Sequence, residues 1–427
     1  MALQFILGPS GAGKSEYIYE DIIRRTMQDD RENVIVLVPE QYSLEIQRKL
    51  VQKHPRGGSF QIDVIGFNRL AYRIFDELHI RPKKVLEDFG KSMLLRKAAQ
   101  EHKEELSLYA GSLDKAGFID EAKSLMSEIY QYDIPRERLR EALQELDDSE
   151  EARVLARKLQ DMLVIFDAFE EKKGQSFIVA EQMLELLTAA AGQSELIAGS
   201  EIVLDGFTGF TPIQLNLISV LLRRAKKVTI VLTIDAASYE KKHVAEHELF
   251  ALTKQTIEHL LLTAEQAQVV VEPALFLGKN GCKRWSSGHP LAHLEQNLFR
   301  YPYRTGKDVE QAITITAYDT PAQELTGVAE QIRTLVMEQG YRYRDIAIVS
   351  GNLEETAEFA KRILPQYEIP YFIDMTMPVK NHPCVDALTH VLRIVDENFS
   401  YDSVFAFLKS GVVKSLEQSE IEMLENY

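Results

Sequence analysis

Eight residues near the N-terminus, Gly8-Pro9-Ser10-Gly11-Ala12-Gly13-Lys14-Ser15, have the types and spacing of a phosphate-binding loop, G-x-x-x-x-G-K-[ST]. Glycines let backbone N–H groups turn inward onto phosphate oxygens, and a helix N-terminus behind them adds a favourable dipole. Lys14 has the reach for the β- and γ-phosphates of a nucleoside triphosphate, and the Ser15 hydroxyl suits Mg²⁺. Read instead as a vestigial turn, the same string would keep its shape and bind weakly. Such a loop works with a second carboxylate for Mg²⁺ at the end of a neighbouring strand. The best candidate is Asp205, which closes Glu201-Ile202-Val203-Leu204-Asp205 far along the chain. The expected nucleotide contacts are therefore Gly8 to Ser15 and Asp205, with Ser15 and Asp205 as the Mg²⁺ ligands.

The elements that must position these residues follow from periodicity. Short apolar runs at 3–7, 34–38 and 61–65 alternate with helical patterns from 13 to about 28, 43–53 and 67–78, which predicts an α/β fold with a parallel sheet. From 84 to 195 the apolar spacing is helical throughout, with no strong strand signal. This block separates Lys14 from Asp205, so it reads as an insertion that splits one nucleotide-binding domain in two. Strands return at 202–204 and 228–233, and 275–306, rich in Gly, Lys, Ser and Pro, reads as a loop or linker. A second α/β unit is expected next, with strands at 313–317, 346–349 and 371–373, helices at 321–338 and 354–364, and a helical segment from about 382 onward.

Composition narrows the class. At about 150 residues per domain, 427 residues suggest roughly three domains. Hydrophobic residues make up 45%, too many for a disordered chain, and no run approaches the ~18 apolar residues of a membrane span. With 49 basic and 65 acidic side chains, the net charge of -16 argues against nucleic-acid binding by bulk attraction, so any such contact needs a local groove. Two cysteines, Cys282 and Cys384, make neither a disulfide framework nor a four-cysteine metal site, as in a reduced, cytoplasmic protein. The N-terminus lacks the marks of a signal peptide, and the end at Tyr427 falls inside a helical pattern, where a natural chain can end but a cut chain equally would. His243-Val244-Ala245-Glu246-His247 has the H-x-x-E-H zinc spacing, but with no clear third ligand it reads as a charged surface helix.

Further strings carry a resemblance. They are Val36-Leu37-Val38-Pro39-Glu40-Gln41-Tyr42-Ser43, Val64-Ile65-Gly66-Phe67-Asn68-Arg69-Leu70-Ala71-Tyr72-Arg73, Leu204-Asp205-Gly206-Phe207-Thr208-Gly209-Phe210-Thr211-Pro212, Tyr343-Arg344-Asp345-Ile346-Ala347-Ile348-Val349 and Ile369-Pro370-Tyr371-Phe372-Ile373. In this order, around a split phosphate-binding domain, they resemble a superfamily 1 helicase core of the UvrD/RecB type. Over its whole length the chain more closely resembles the B subunits of AddAB helicase–nucleases, which share the VPEQ and DGF-FTP segments.

The resemblance implies a RecA-like domain in two parts (1–83 and 196–305, the latter with a linker) around a helical insertion (84–195). A second RecA-like domain (306–395) and the start of a further helical domain (396–427) would follow. It implies ATP and Mg²⁺ as ligands, an AddA-like helicase–nuclease partner, contact with single- and double-stranded DNA, and no membrane. The nuclease and the four-cysteine iron–sulfur cluster of full-length members find no counterpart here. The DNA track would fall on Gln41, Ser43, Phe67, Arg69, Tyr72 and Phe210, by aromatic stacking and basic contacts, although Phe67 and Phe210 also fit as core aromatics.

Departures from a working motor are visible. Gly206 stands where the water-orienting Glu is expected, Ser238 stands where a γ-phosphate-sensing Gln is expected, and Ser350-Gly351-Asn352 stands where an arginine is expected. No catalytic residue is assigned. The sequence thus reads as a helicase-like subunit that binds nucleotide and hydrolyses it poorly, and the resemblance implies that it scans single strands for Chi. An active helicase, or a P-loop phosphotransferase, are the other readings.

Overall fold

The structure is a computed structural model describing residues 1–427 except 30–31, 114, 147–148, 175, 243, 279–282, 287, 307–311, 376–378, 380–381 and 413–414. The chain divides into two compact units, Met1–Ile313 and Thr314–Tyr427.

The first unit opens with β1 (Ala2–Gly8), α1 (Lys14–Gln28), β2 (Asn33–Leu37), a single 3₁₀ turn (Glu40–Tyr42), α2 (Ser43–Lys53), β3 (Ile62–Ile65) and α3 (Phe67–Glu77). After β4 (Lys84–Leu86) come the helices α4 (Asp88–Glu101), α5 (Ala116–Gln131), α6 (Arg136–Glu145) and α7 (Glu150–Lys173), then β5 (Phe177–Val179), α8 (Ala180–Ala191) and the short α9 (Glu195–Ala198). The sheet resumes with β6 (Ser200–Leu204), α10 (Pro212–Arg224), β7 (Lys227–Thr233), α11 (Ala236–Glu240), α12 (Ala251–Gln266), β8 (Val270–Val271) and β9 (Leu275–Phe276), followed by α13 (Pro290–Asn297). Strand order is β3-β2-β6-β7-β1-β8, with β9 also on β1, and every pairing is parallel. The α/β expectation therefore holds for this unit.

Strand parity assigns the two faces of the sheet. Leu3, Phe5, Leu7, Ile35, Leu37, Ile202 and Leu204 face α3, α8, α10 and α12. Ile6, Val34, Val36, Val64, Val203 and Val231 face Ile18, Tyr19, Ile22 and Ile23 of α1 and Ile46 and Leu50 of α2. Burial on both faces is why these strands read as continuous apolar runs. The register sets Leu37 level with both Ile65 and Leu204, and Gly8 level with Thr233, so the loops after these strands emerge at one edge.

Helices α4, α5 and α7 bury a separate core that includes Leu95, Ala98, Met126, Ile165 and Phe169. The expectation of no strand in this region is corrected. β4 and β5 pair in parallel where the chain leaves and re-enters, although each is only three residues long. The 275–306 segment is also more than a linker, since β9 joins the sheet and α13 lies within it.

The second unit holds α14 (Pro321–Gln339), α15 (Leu353–Ile363), α16 (Pro383–Asp396), α17 (Tyr401–Lys409) and α18 (Gln418–Asn426). Leu325 and Ile332 of α14 pack on Ala360 and Ile363 of α15, together with Leu364 and Ile369. The strands expected at 313–317, 346–349 and 371–373 are corrected: among the described residues none is formed. A strand exists only through a paired neighbour, and Ile315, Val349 and Phe372 are almost fully exposed. The expected surface helix at the H-x-x-E-H string is corrected too. Residues 244–248 form no helix, while His243, like Cys282, lies outside the described residues.

Candidate nucleotide-binding site

The phosphate-binding string follows β1 and opens α1, at the carboxyl edge of the sheet where open α/β folds bind ligands. Gly11 and Gly13 adopt left-handed φ values of 73° and 83°. Gly8 cannot carry a side chain, because a Cβ there would stand 2.5 Å from the Leu277 carbonyl oxygen. The first-turn amides of α1 lack intrahelical acceptors, as at any helix start, so they suit an anion. Lys14 Nζ donates to the carbonyl oxygens of Gly8 and Pro9 at 2.9 Å each, which holds the ammonium over its own loop. Ser10 and Ser15 are exposed, and Ala12 is buried beneath the loop.

Asp205 continues the β6 ladder, its N–H donating to the Leu37 carbonyl at 3.0 Å. Its carboxylate is buried, and both oxygens are engaged: Oδ2 accepts the Tyr19 hydroxyl at 2.7 Å and Oδ1 accepts the Gly206 N–H at 2.9 Å. Burial, then the Asp205 charge and the hydrogen bond to it, push the Tyr19 phenol far above its usual range, so it stays a donor. Sequence reasoning missed Tyr19. Its signal was a tyrosine in the buried stripe Ile18, Tyr19, Ile22, Ile23, whose hydroxyl had to find an acceptor.

Gly206 has a left-handed φ of 82° and packs against Pro39. Ser238, one turn beyond β7, donates its N–H to Asp235 Oδ1 at 2.6 Å, so that Asp235 caps α11. Burial opposes ionisation of Asp235, but Ser238 and the ion-paired Arg300 hold its carboxyl below the usual range.

Among the described residues no three His, Cys, Asp or Glu side chains form a metal cage. Mg²⁺ needs none, because it binds through one or two carboxylates, substrate phosphates and retained waters. Ser15 and Asp205 are oxygen donors of that kind, each Asp205 oxygen keeping a lone pair beside the hydrogen bond it accepts.

The six residues of the expected DNA track fall into two groups. Phe67 and Phe210 are half-buried against the sheet core and are joined through Phe207, with ring centroids 5.5 and 5.2 Å apart. Gln41, Arg69 and Tyr72 are exposed, while Ser43 is half-buried and donates its hydroxyl to the Glu40 carbonyl at 2.9 Å. Arg69, Tyr72 and Arg73 lie three and four residues apart on the exposed face of α3, with Arg73 paired to Asp63. Glu40, also missed, joins the loops after β2 and β3. Its Oε1 accepts the Asn68 N–H at 3.0 Å, and its carboxylate fills the space where Gly66 has no side chain. Among the described residues no helix is long and apolar enough to cross a membrane.

A family model described as "ADDB, N-terminal" matches residues 5–295. The chain is similar, over its full length, to the B subunits of the ATP-dependent helicase/deoxyribonucleases of Lachnoclostridium phytofermentans, at 38% identity, and Clostridium kluyveri, at 33%. It spans 37% of the length of each of these relatives. The chain belongs to the AddB family and corresponds to its N-terminal region.

Proposed function

We propose that this chain is the nucleotide-holding, helicase-like part of the B subunit of a heterodimeric ATP-dependent helicase–exonuclease that processes double-strand breaks for recombinational repair. Met1–Ile313 then corresponds to a RecA-like domain interrupted by its helical insertion, and the second unit to parts of a second RecA-like domain. The P-loop amides and Lys14 bind the phosphates of ATP, while Ser15 and Asp205 hold Mg²⁺, which would neutralise phosphate charge. The face formed by α3 and the neighbouring loops scans single-stranded DNA for Chi, and an AddA-like partner supplies translocation. The nuclease and any iron–sulfur cluster belong to the remainder of the full-length protein.

The observation that carries this reading is the environment of Asp205. Its carboxylate is fixed in place by hydrogen bonds from Tyr19 and Gly206, and the neighbouring position has no side chain to orient water. Loss of a positioned general base removes about 10²–10⁴ in rate. The chain should therefore bind ATP with little hydrolysis, with or without single-stranded DNA. Brisk DNA-stimulated turnover by the purified chain would overturn the proposal in favour of an active helicase. In a separate single-strand binding titration, Arg69→Ala and Tyr72→Ala should each weaken binding about 10-fold, as loss of one phosphate or stacking contact does. Parental affinity in both would remove α3 from the DNA track.

Gly206→Glu is expected to leave turnover at the parental level, because Ser238 still stands where the γ-phosphate-sensing Gln is expected, and to lower stability by about 1–2 kcal/mol, the cost of a left-handed conformation for a residue with a Cβ. ATPase rates and thermal unfolding of the two proteins decide this. Restored hydrolysis would show that the missing carboxylate alone silences the site.

A further inference from the structure

Residues 277–278 and 283–284, after β9, lie against β1 and the phosphate-binding loop. The Leu277 N–H donates to the Leu7 carbonyl at 2.8 Å, and Gly278 turns with a φ of 78° against Ala12 and Pro9. The Arg284 N–H then donates to the Gly11 carbonyl at 3.2 Å, and the stem of Lys283 lies over Gly13, with Cδ 2.9 Å from where a Cβ would stand. Lys283 and Arg284 are exposed, and Trp285 is half-buried, with the Arg284 guanidinium 5.7 Å from its ring centroid. The Lys283 side chain and the Arg284 backbone are thus held against the loop by residues outside the motif, with the chain's single tryptophan next in sequence.

We propose that Lys283 is a second phosphate-directed cation of the nucleotide site, selecting polyphosphate over monophosphate, and that Trp285 beside it registers occupancy. This rests on the nucleotide reading above. Three features support it. Lacking a Cβ, Gly13 leaves room for the Lys283 stem, and the Lys283 charge acts on Glu16 in the first turn of α1, so the ammonium lies within electrostatic reach of that helix start. The Arg284 backbone bond fixes the segment to the loop independently of the lysine side chain, so the position is built into the fold. A nucleoside triphosphate carries more negative charge than Lys14 and one Mg²⁺ offset, and a further lysine supplies a point charge on a flexible stem. A site with two lysines and no side chain at Gly206 to orient water is suited to retention of ATP rather than its turnover.

The test is a calorimetric titration of the 427-residue chain with ATP and with AMP, in the presence of Mg²⁺, alongside Trp285 fluorescence. Lys283→Ala should bind ATP about 10-fold more weakly, the effect of losing one charge-assisted contact, with AMP affinity unchanged. Lys283→Arg should recover most of the loss. Trp285 emission should shift on ATP addition in the parent, and again at saturating ATP in Lys283→Ala. ATP affinity unaltered in Lys283→Ala, while Lys14→Ala loses it, would overturn this proposal and leave the nucleotide reading standing. A parent that binds no ATP would instead overturn the nucleotide reading and this proposal together. Because Lys283 is exposed, the variants should keep the parental unfolding temperature.

Discussion

Lys14→Ala is expected to weaken ATP binding about 100-fold while changing stability by no more than about 0.5 kcal/mol. The first figure follows from the loss of a lysine that reaches the phosphates, a charge-assisted contact contributing about 1.5–3 kcal/mol net of water. The second follows from where the side chain sits. Its ammonium donates to two carbonyls of its own loop, Gly8 and Pro9, and the loop itself is shaped by Gly8, Gly11 and Gly13 rather than by Lys14. Titration with a fluorescent ATP analogue measures the affinity, and thermal unfolding measures the stability. Retained affinity would mean that nucleotide, if bound, is held elsewhere. A large fall in stability would mean that the lysine is a structural clamp on the loop.

How much of this site was legible in the sequence depends on how local each feature is. The phosphate-binding string is contiguous, and its glycines, lysine and serine announce their backbone and charge requirements directly. Asp205 was legible because it ends an apolar run, even though the helical insertion carries it far from Lys14. Tyr19 was not, because its role exists only once α1 and β6 are packed and its hydroxyl meets the Asp205 carboxylate. Phe67 and Phe210 were legible as aromatics near one edge, but not their link through Phe207. Strand pairing failed in both directions for the same reason. Two-residue strands such as β8 and β9 carry no periodicity, and their partner is remote in sequence. The strings 313–317 and 346–349 have strand composition, yet composition alone supplies no neighbour to pair with.

Lys91→Met should destabilise the helical insertion by about 3–5 kcal/mol, the cost of leaving one member of a buried ion pair without its partner. Lys91 is almost fully buried, and its Nζ reaches Glu181 Oε1 and Oε2 at 3.0 and 3.1 Å and Ser127 Oγ at 2.8 Å. The pair joins α4 and α5 of the insertion to α8. That helix in turn packs on α3 and α10 and buries Met183, Leu187 and Ala191 in the sheet core. The insertion has its own core around Phe169 and Leu95, so loosening this root should open the insertion before the sheet. Limited proteolysis of Lys91→Met should therefore cut first within residues 88–173 and leave ATP binding intact. Lys91→Met combined with Glu181→Leu should recover most of the lost stability in urea denaturation, since no uncompensated charge is left. A single variant within about 1 kcal/mol of the parent would show that water reaches Glu181 and that apolar packing, not the ion pair, fastens the insertion. Simultaneous loss of ATP binding and of insertion structure would show that the two cores unfold as one.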